Sequence, residues 1–186
     1  MKPPPTTAIR TRNIETPLGP MLAGVREPVQ ALCLLEFADP SRIDRSAHPL
    51  ATTIGQLEPA EQASPAAELL DEIEGQLADY FACQRTAFDL PVHAPGTPFQ
   101  QQVWNHLLTI PHGQTTTYGR IAAALGNPNG QRAVGAANAA NRIAIIIPCH
   151  RVISSTGTPH GYAGGIRRKH ALLELERATL FSGANP

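Results

Sequence analysis

Between residues 8 and 37 the apolar positions fall into three short runs divided by turn formers. Residues 9–15 read as a first strand, T-P-L-G-P at 16–20 turns the chain, and 21–25 and 31–37 supply two further apolar strands, with Cys33 packed among Leu32, Leu34 and Leu35. The pattern predicts a β-meander. From residue 64 the period changes: Ser64 before Pro65 is an N-cap with proline at the first helical position, and Leu69, Ile73, Leu77 and Phe81 recur at helical spacing. This helix is expected to pack on the meander and complete an α/β N-terminal unit over 1–90. In the mixed stretch 38–60, Pro40, Pro49 and Pro59 break any long element.

The segment F-D-L-P-V-H-A-P-G-T-P at 88–98 reads as an interdomain linker, centred on 91–98, with His93 solvated. A second, mainly helical unit over 99–186 then opens with Phe99, Val103, Trp104 and Leu107 on one helical face, capped by Thr97. Residues 118–125, the turn G-N-P-N-G at 126–130, and 131–138 follow the layout helix, turn, helix, with Gly126 and Pro128 ending the first helix and Asn129 able to cap the second. The second helix carries Ala133, Gly135, Ala136, Ala137, Ala139 and Ala140. A mid-helix glycine is costly, so either another helix packs closely here or a ligand approaches the backbone.

The run I-A-I-I-I-P-C-H-R-V at 143–152 carries the candidate chemistry. Ile145, Ile146 and Ile147 suit a short strand buried on both faces, and Pro148 ends it, so that Cys149 emerges on a stiff support. A cation or imidazole beside a thiol favours the thiolate, and His150 and Arg151 follow at once. Cys83 has only Arg85 as a basic neighbour and reads as structural.

Charge sharpens this division. Residues 1–92 hold 7 Lys+Arg against 13 Asp+Glu, a balance of −6, and residues 93–186 hold 8 against 2, a balance of +6, within a formal net charge of zero. The positive half suits contact with nucleic acid. Three widely spaced cysteines argue for a reducing compartment, and no CxxC or HxxxH pair offers metal-ligand spacing, so no metal is expected. No apolar run approaches a membrane span and the start M-K-P-P-P-T-T lacks a signal-peptide core, which predicts a cytoplasmic protein.

I-P-C-H-R-V, with R-A-V-G-A-A-N-A-A-N at 132–141, G-Y-A-G-G at 161–165, T-P-F-Q-Q-Q-V-W at 97–104 and I-P-H-G-Q-T-T-T-Y-G at 110–119, resembles the O6-alkylguanine-DNA alkyltransferases. The resemblance spans residues 97–176. It implies a ribonuclease H-like N-terminal domain, a winged-helix-like C-terminal domain, and DNA repair by one irreversible transfer of an alkyl group from O6 of a flipped guanine to Cys149. O4-alkylthymine is left open as a second substrate. The matching residues imply a water relay from Cys149 to His150, held by Glu176 on a C-terminal helix over 166–178, although Glu174 is equally available by sequence.

By the same resemblance Tyr162 donates to guanine N3, Asn141 is a hinge, and Val152 contacts the base. Arg151 is structural, and Gly161, Gly164 and Gly165 let a loop close over the pocket. The slim helix with Ala133, Gly135 and Ala136 enters the minor groove. Arg132 fills the space left by the flipped nucleotide, and Tyr118 presses on the 3′ phosphate. Ala163 stands where some members place a serine that donates to O6, which bears on tolerance for larger adducts. The implied partner is double-stranded DNA with alkylated guanine, met by a monomer with cooperativity left open, and no cofactor is required. A cysteine hydrolase fits less well, because such enzymes bring cysteine and histidine from separate elements. A non-catalytic binder of alkylated DNA remains the alternative, against which the presence of Cys149 argues.

Overall fold

Strands β1 (Ala8–Ile14), β2 (Met21–Arg26) and β3 (Ala31–Phe37) form the expected antiparallel meander in a computed structural model that describes residues 8–38 and 56–182. Most of the mixed stretch 38–60 lies outside the described residues. Its end forms a strand that the sequence pattern did not predict: β4 (Gln56–Pro59) pairs with β1 in parallel, giving a mixed sheet in the order β3-β2-β1-β4. With Leu57 its one sizeable apolar side chain, β4 shows no alternation to read. Arg10 secures it instead, reaching Glu27 at 3.0 Å and Glu58 at 2.8 Å.

Helix α1 (Pro65–Phe81) begins as read, with the Ser64 hydroxyl accepting from the Ala67 amide at 3.2 Å and Pro65 at the first position. Leu69, Leu70, Ile73, Leu77 and Tyr80 are buried in the core shared with the sheet, whereas Phe81 is only half-buried. On the other face of the sheet, Cys33 is buried with Ile9, Leu22 and Leu34, and burial pushes its thiol up to about 12. That sulfur is inert packing. Cys83, just past the helix, adopts a left-handed backbone and returns its amide to the Tyr80 carbonyl at 3.1 Å.

The linker is docked rather than free. The Leu32 amide donates to the Pro91 carbonyl at 2.8 Å and the His93 amide to the Leu32 carbonyl at 2.9 Å, so residues around Val92 extend the sheet beside β3. His93 is half-buried, and its Nε2 lies 2.9 Å from Arg26 Nη1. Farther along β3 a second segment joins: Leu35 exchanges hydrogen bonds with Arg142 and Ala144, and Arg142 pairs with Glu36 at 2.8 Å. One hydrophobic core runs from the meander through α1 to the C-terminal helices and Cys149.

Helix α2 (Pro98–Leu108) carries a full capping box, Thr97 and Gln100 bonding reciprocally, and buries Val103, Trp104 and Leu107. The helix pair follows as α3 (Tyr118–Ala124) and α4 (Gln131–Ala139), led by the short strand β5 (Thr116–Thr117). Gly126, at φ +76°, supplies the left-handed turn that ends α3. Gly130, not Asn129, takes the N-cap position of α4, and no side chain caps that helix. Strand β6 (Val152–Ile153) pairs with β5 in parallel, and α5 (Ile166–Ser182) closes the fold. The architecture is an α/β unit plus a helical unit, and among the described residues no helix is long and apolar enough to cross a membrane.

Candidate active site

The isoleucine run does not form the expected strand. Ile143 bridges to β3, but Ile145 sits at φ +71°, and the Ile146 and Ile147 amides turn back to the Ala144 and Ile143 carbonyls at 2.9 and 3.0 Å. A β-branched residue in the left-handed region costs on the order of 1–3 kcal/mol and persists only where its surroundings impose it. Asn141 imposes it here. Its Oδ1 accepts from the Ile143 amide at 3.0 Å, while Nδ2 donates to the Ile147 carbonyl at 2.9 Å and to Cys149 Sγ at 3.1 Å. One amide thus ties the turn to the sulfur, which is more than the backbone hinge expected of it.

Residues Cys149–Arg151 form a single 3-10 turn, all three buried. This geometry sends His150 and Arg151 away from the thiol. Burial pushes the Cys149 thiol up, opposed by the hydrogen bond from Asn141 and the charge of Lys169, a direction contrary to the thiolate that the C-H-R tripeptide favours. His150 Nε2 instead meets Glu176 Oε1 at 2.8 Å, and Arg151 grips both Glu176 oxygens at 2.9 to 3.2 Å while donating to the Ile110 carbonyl at 2.6 Å. Gly113 N donates to Oε2 at 3.0 Å and the Tyr80 hydroxyl to Oε1 at 2.9 Å.

Burial works against the Glu176 carboxylate, but these hydrogen bonds outweigh it and hold the group well below the usual carboxylate range. Burial also draws His150 below the usual imidazole range, with Glu176 pulling it back up. Glu176 is fully buried and Glu174 exposed, so the carboxylate beside His150 is that of Glu176.

On the opposite side of the sulfur lies a cavity of about 300 Å³ lined by Tyr118, Gly135, Asn138, Ala139, Cys149, Gly161, Tyr162 and Ala163. That volume is at the small end of ligand pockets, roughly 300–1,000 Å³. The Tyr162 hydroxyl and Asn138 Oδ1 are buried in it without a partner. Such orphaned polar atoms are rare in native interiors and are free to meet a water or a polar ligand.

The outer wall is α4, where Arg132, Ala133 and Ala136 are exposed and Gly135 half-buried. Among the described residues nothing covers Arg132, Ala133 or Ala136. The Tyr118 hydroxyl rests on the His160 carbonyl at 3.3 Å. Of the other expected pocket residues, Val152 is fully buried in β6, Arg151 belongs to the Glu176 network, and Gly164 stands behind Tyr162.

Sequence reasoning missed three contributors. Lys169 is fully buried, and its ammonium donates to the carbonyls of Val152, His160 and Gly161 at 2.5, 2.9 and 3.1 Å, fastening the loop over the cavity; burial brings it down to about 8. Its place in the charged run R-R-K-H carries no sign of burial. Asn138 donates to the Cys149 carbonyl at 3.4 Å, and Tyr80 arrives from the N-terminal unit.

The family model described as 6-O-methylguanine DNA methyltransferase, DNA binding domain, matches residues 98–178. A methylated-DNA--protein-cysteine methyltransferase of Mycobacterium bovis is 45% identical over 172 residues, covering 91% of this chain and 93% of the relative. The structure of the Mycobacterium tuberculosis protein OGT in complex with DNA superimposes with a TM-score of 0.73 at 40% identity, over 92% of this chain and 94% of the other. That of the O6-methylguanine-DNA methyltransferase from Pyrococcus kodakaraensis gives 0.61 at 25% identity, over 90% and 98%. With a cysteine turn, a buried histidine-glutamate pair and a slim exposed helix joined in one site, the chain belongs to the methylated-DNA--protein-cysteine methyltransferase family.

Proposed function

We propose that this protein repairs duplex DNA by taking the alkyl group from O6 of a flipped guanine onto Cys149, once per molecule. The observation that carries the reading is the position of Cys149 Sγ: it stands between a base-sized cavity with two orphaned polar atoms and a hydrogen-bonded histidine-glutamate pair whose one unmet atom is His150 Nδ1. Extrusion of the nucleotide costs a few kcal/mol, less for a lesion that pairs poorly. The exposed, small-residue face of α4 admits the minor groove, Arg132 fills the vacated stack, and Tyr118 meets the adjacent phosphate. The finer folds this reading adopts are ribonuclease H-like for the sheet unit and winged-helix-like for the helical one.

His150 Nε2 faces Glu176, which leaves Nδ1 as the acceptor; it is buried with no protein partner, as a water relay from the thiol requires. The thiol proton passes through that water to Nδ1 as sulfur attacks the alkyl carbon. An S–C bond forms, the C–O6 bond breaks, and its electron pair leaves on guanine, which regains a proton from the relay. Tyr162 donates to the base and eases the charge. Asn141 stabilises the sulfur as it loses its proton, and Lys169 adds a fixed positive charge near it.

No side chain beside Cys149 offers chemistry to cleave the thioether, so the protein is spent. Incubation with an O6-methylguanine duplex should place one methyl on the Cys149 peptide by mass analysis, with Cys149→Ala binding DNA yet leaving the lesion intact. Repeated turnover by one polypeptide, or binding without any transfer, would overturn the reading.

A further inference from the structure

We propose that Tyr80, contributed by α1 of the N-terminal unit, is a positioning residue for this alkyl transfer, acting by sharing Glu176 Oε1 with His150. The inference rests on the function proposed above and assigns the N-terminal unit a part in the chemistry. The Tyr80 hydroxyl donates to Oε1 at 2.9 Å, and His150 Nε2 meets the same oxygen at 2.8 Å. The phenol has little freedom to leave, since its ring is 1% exposed and stands against Phe81, Phe88 and His112 with centroids 5.4, 5.4 and 5.9 Å apart.

A carboxylate oxygen that accepts an additional strong hydrogen bond is a weaker base toward its remaining partner. An untempered Glu176 would pull the imidazole toward the cation before any thiol proton had moved, and a charged His150 cannot accept that proton. The balance is set by every group that faces the pair. Tyr80 comes from α1, and His112 Nδ1 lies 3.8 Å from Oε1 on the loop after α2, which also supplies Gly113 N. Arg151 sits in the cysteine turn, and Lys169, on α5 with Glu176, acts on His150 through its charge. Tyr80 is the member of this set that reaches the carboxylate from the N-terminal sheet unit.

The test is the pH profile of Cys149 alkylation, followed on the Cys149 peptide with O6-methylguanine duplex and, separately, with iodoacetamide, which needs no DNA. Tyr80→Phe should move the acid limb up by about half a pH unit, lowering the rate on that limb about threefold, with duplex affinity unchanged. 3-Fluorotyrosine at position 80, a stronger donor of nearly the same shape, should move the limb down. Superimposable profiles, or a limb that moves the same way in both variants, would overturn the proposal, as would a lowered melting temperature in Tyr80→Phe with the profile intact. If Tyr80→Phe does not fold, the fluorotyrosine protein decides alone. Wild-type protein that reacts with iodoacetamide but takes no methyl from DNA would sink the alkyl-transfer reading, and the thiol profile would still judge Tyr80.

Discussion

The two sides of the Cys149 turn are built on opposite rules. Behind the sulfur, Glu176 receives hydrogen bonds from Tyr80, Gly113, His150 and Arg151, and the group is fully buried. In front of it, the Tyr162 hydroxyl and Asn138 Oδ1 have no partner, and Arg132, Ala133 and Ala136 face outward. On the proposed function the Glu176 side, which would handle the proton, is held by protein hydrogen bonds before a substrate arrives, with only His150 Nδ1 left open for the relay, and this fixes geometry where small errors cost most rate. The cavity side is left incomplete, and on the same proposal its unmet hydrogen bonds and exposed cation gain free energy only when a base and its duplex supply the partners.

Breaking the completed side should have the largest effect. Glu176→Gln leaves Arg151 as a buried, poorly paired cation, so stability should fall by about 3–5 kcal/mol in denaturant melts, with single-turnover transfer at least 100-fold slower. The same carboxylate sets an acid limit. Because its folded pKa is depressed, its contribution is full above the unfolded value of roughly 4.3 and is lost as pH falls below that toward the folded value. Melting temperature followed from pH 6 to pH 2 should therefore drop steeply in the wild type and more gently in Glu176→Gln.

Breaking the open side should leave folding alone. Arg132→Ala should lose about 1–3 kcal/mol of stacking, or roughly 5- to 150-fold in duplex repair, while its melting temperature and its reaction with free O6-benzylguanine stay at wild-type values. Ala136→Leu sharpens the point: the added bulk on an exposed helix position should change stability by less than about 0.5 kcal/mol yet weaken duplex binding, read by titration of labelled DNA. The smallest effect belongs to the pocket wall. Ala163→Ser adds a hydroxyl to the cavity lining and should shift the ratio of benzyl to methyl repair by a few-fold; an unchanged ratio would show that this position does not set adduct size.

Local signals read out well from sequence and long-range ones did not. Ser64 with Pro65 and Thr97 with Pro98 announced their helices, because a cap and a proline at the first position act through neighbouring residues. Cys149, His150 and Glu176 were singled out through motif order, and Glu176 differs from Glu174 in lying on the face of α5 that turns inward beside His150. The cysteine turn was misread because three isoleucines favour a strand, and nothing in that run foretells that an asparagine side chain will hold Ile145 at positive φ. β4 has one strong apolar position and depends on Arg10 across the sheet. Tyr80 and Lys169 act on residues 96 and 17 positions away, separations at which periodicity carries no information.

The docking of two segments along β3 has a consequence for how the molecule behaves in a crowded solution. An outermost strand with free amide and carbonyl groups is a template onto which another chain can add, the first step toward filaments. Here the residues around Val92 and Ile143 occupy those positions along β3, so the bonds that seat the approach to the cysteine turn also close this edge of the sheet to an added strand.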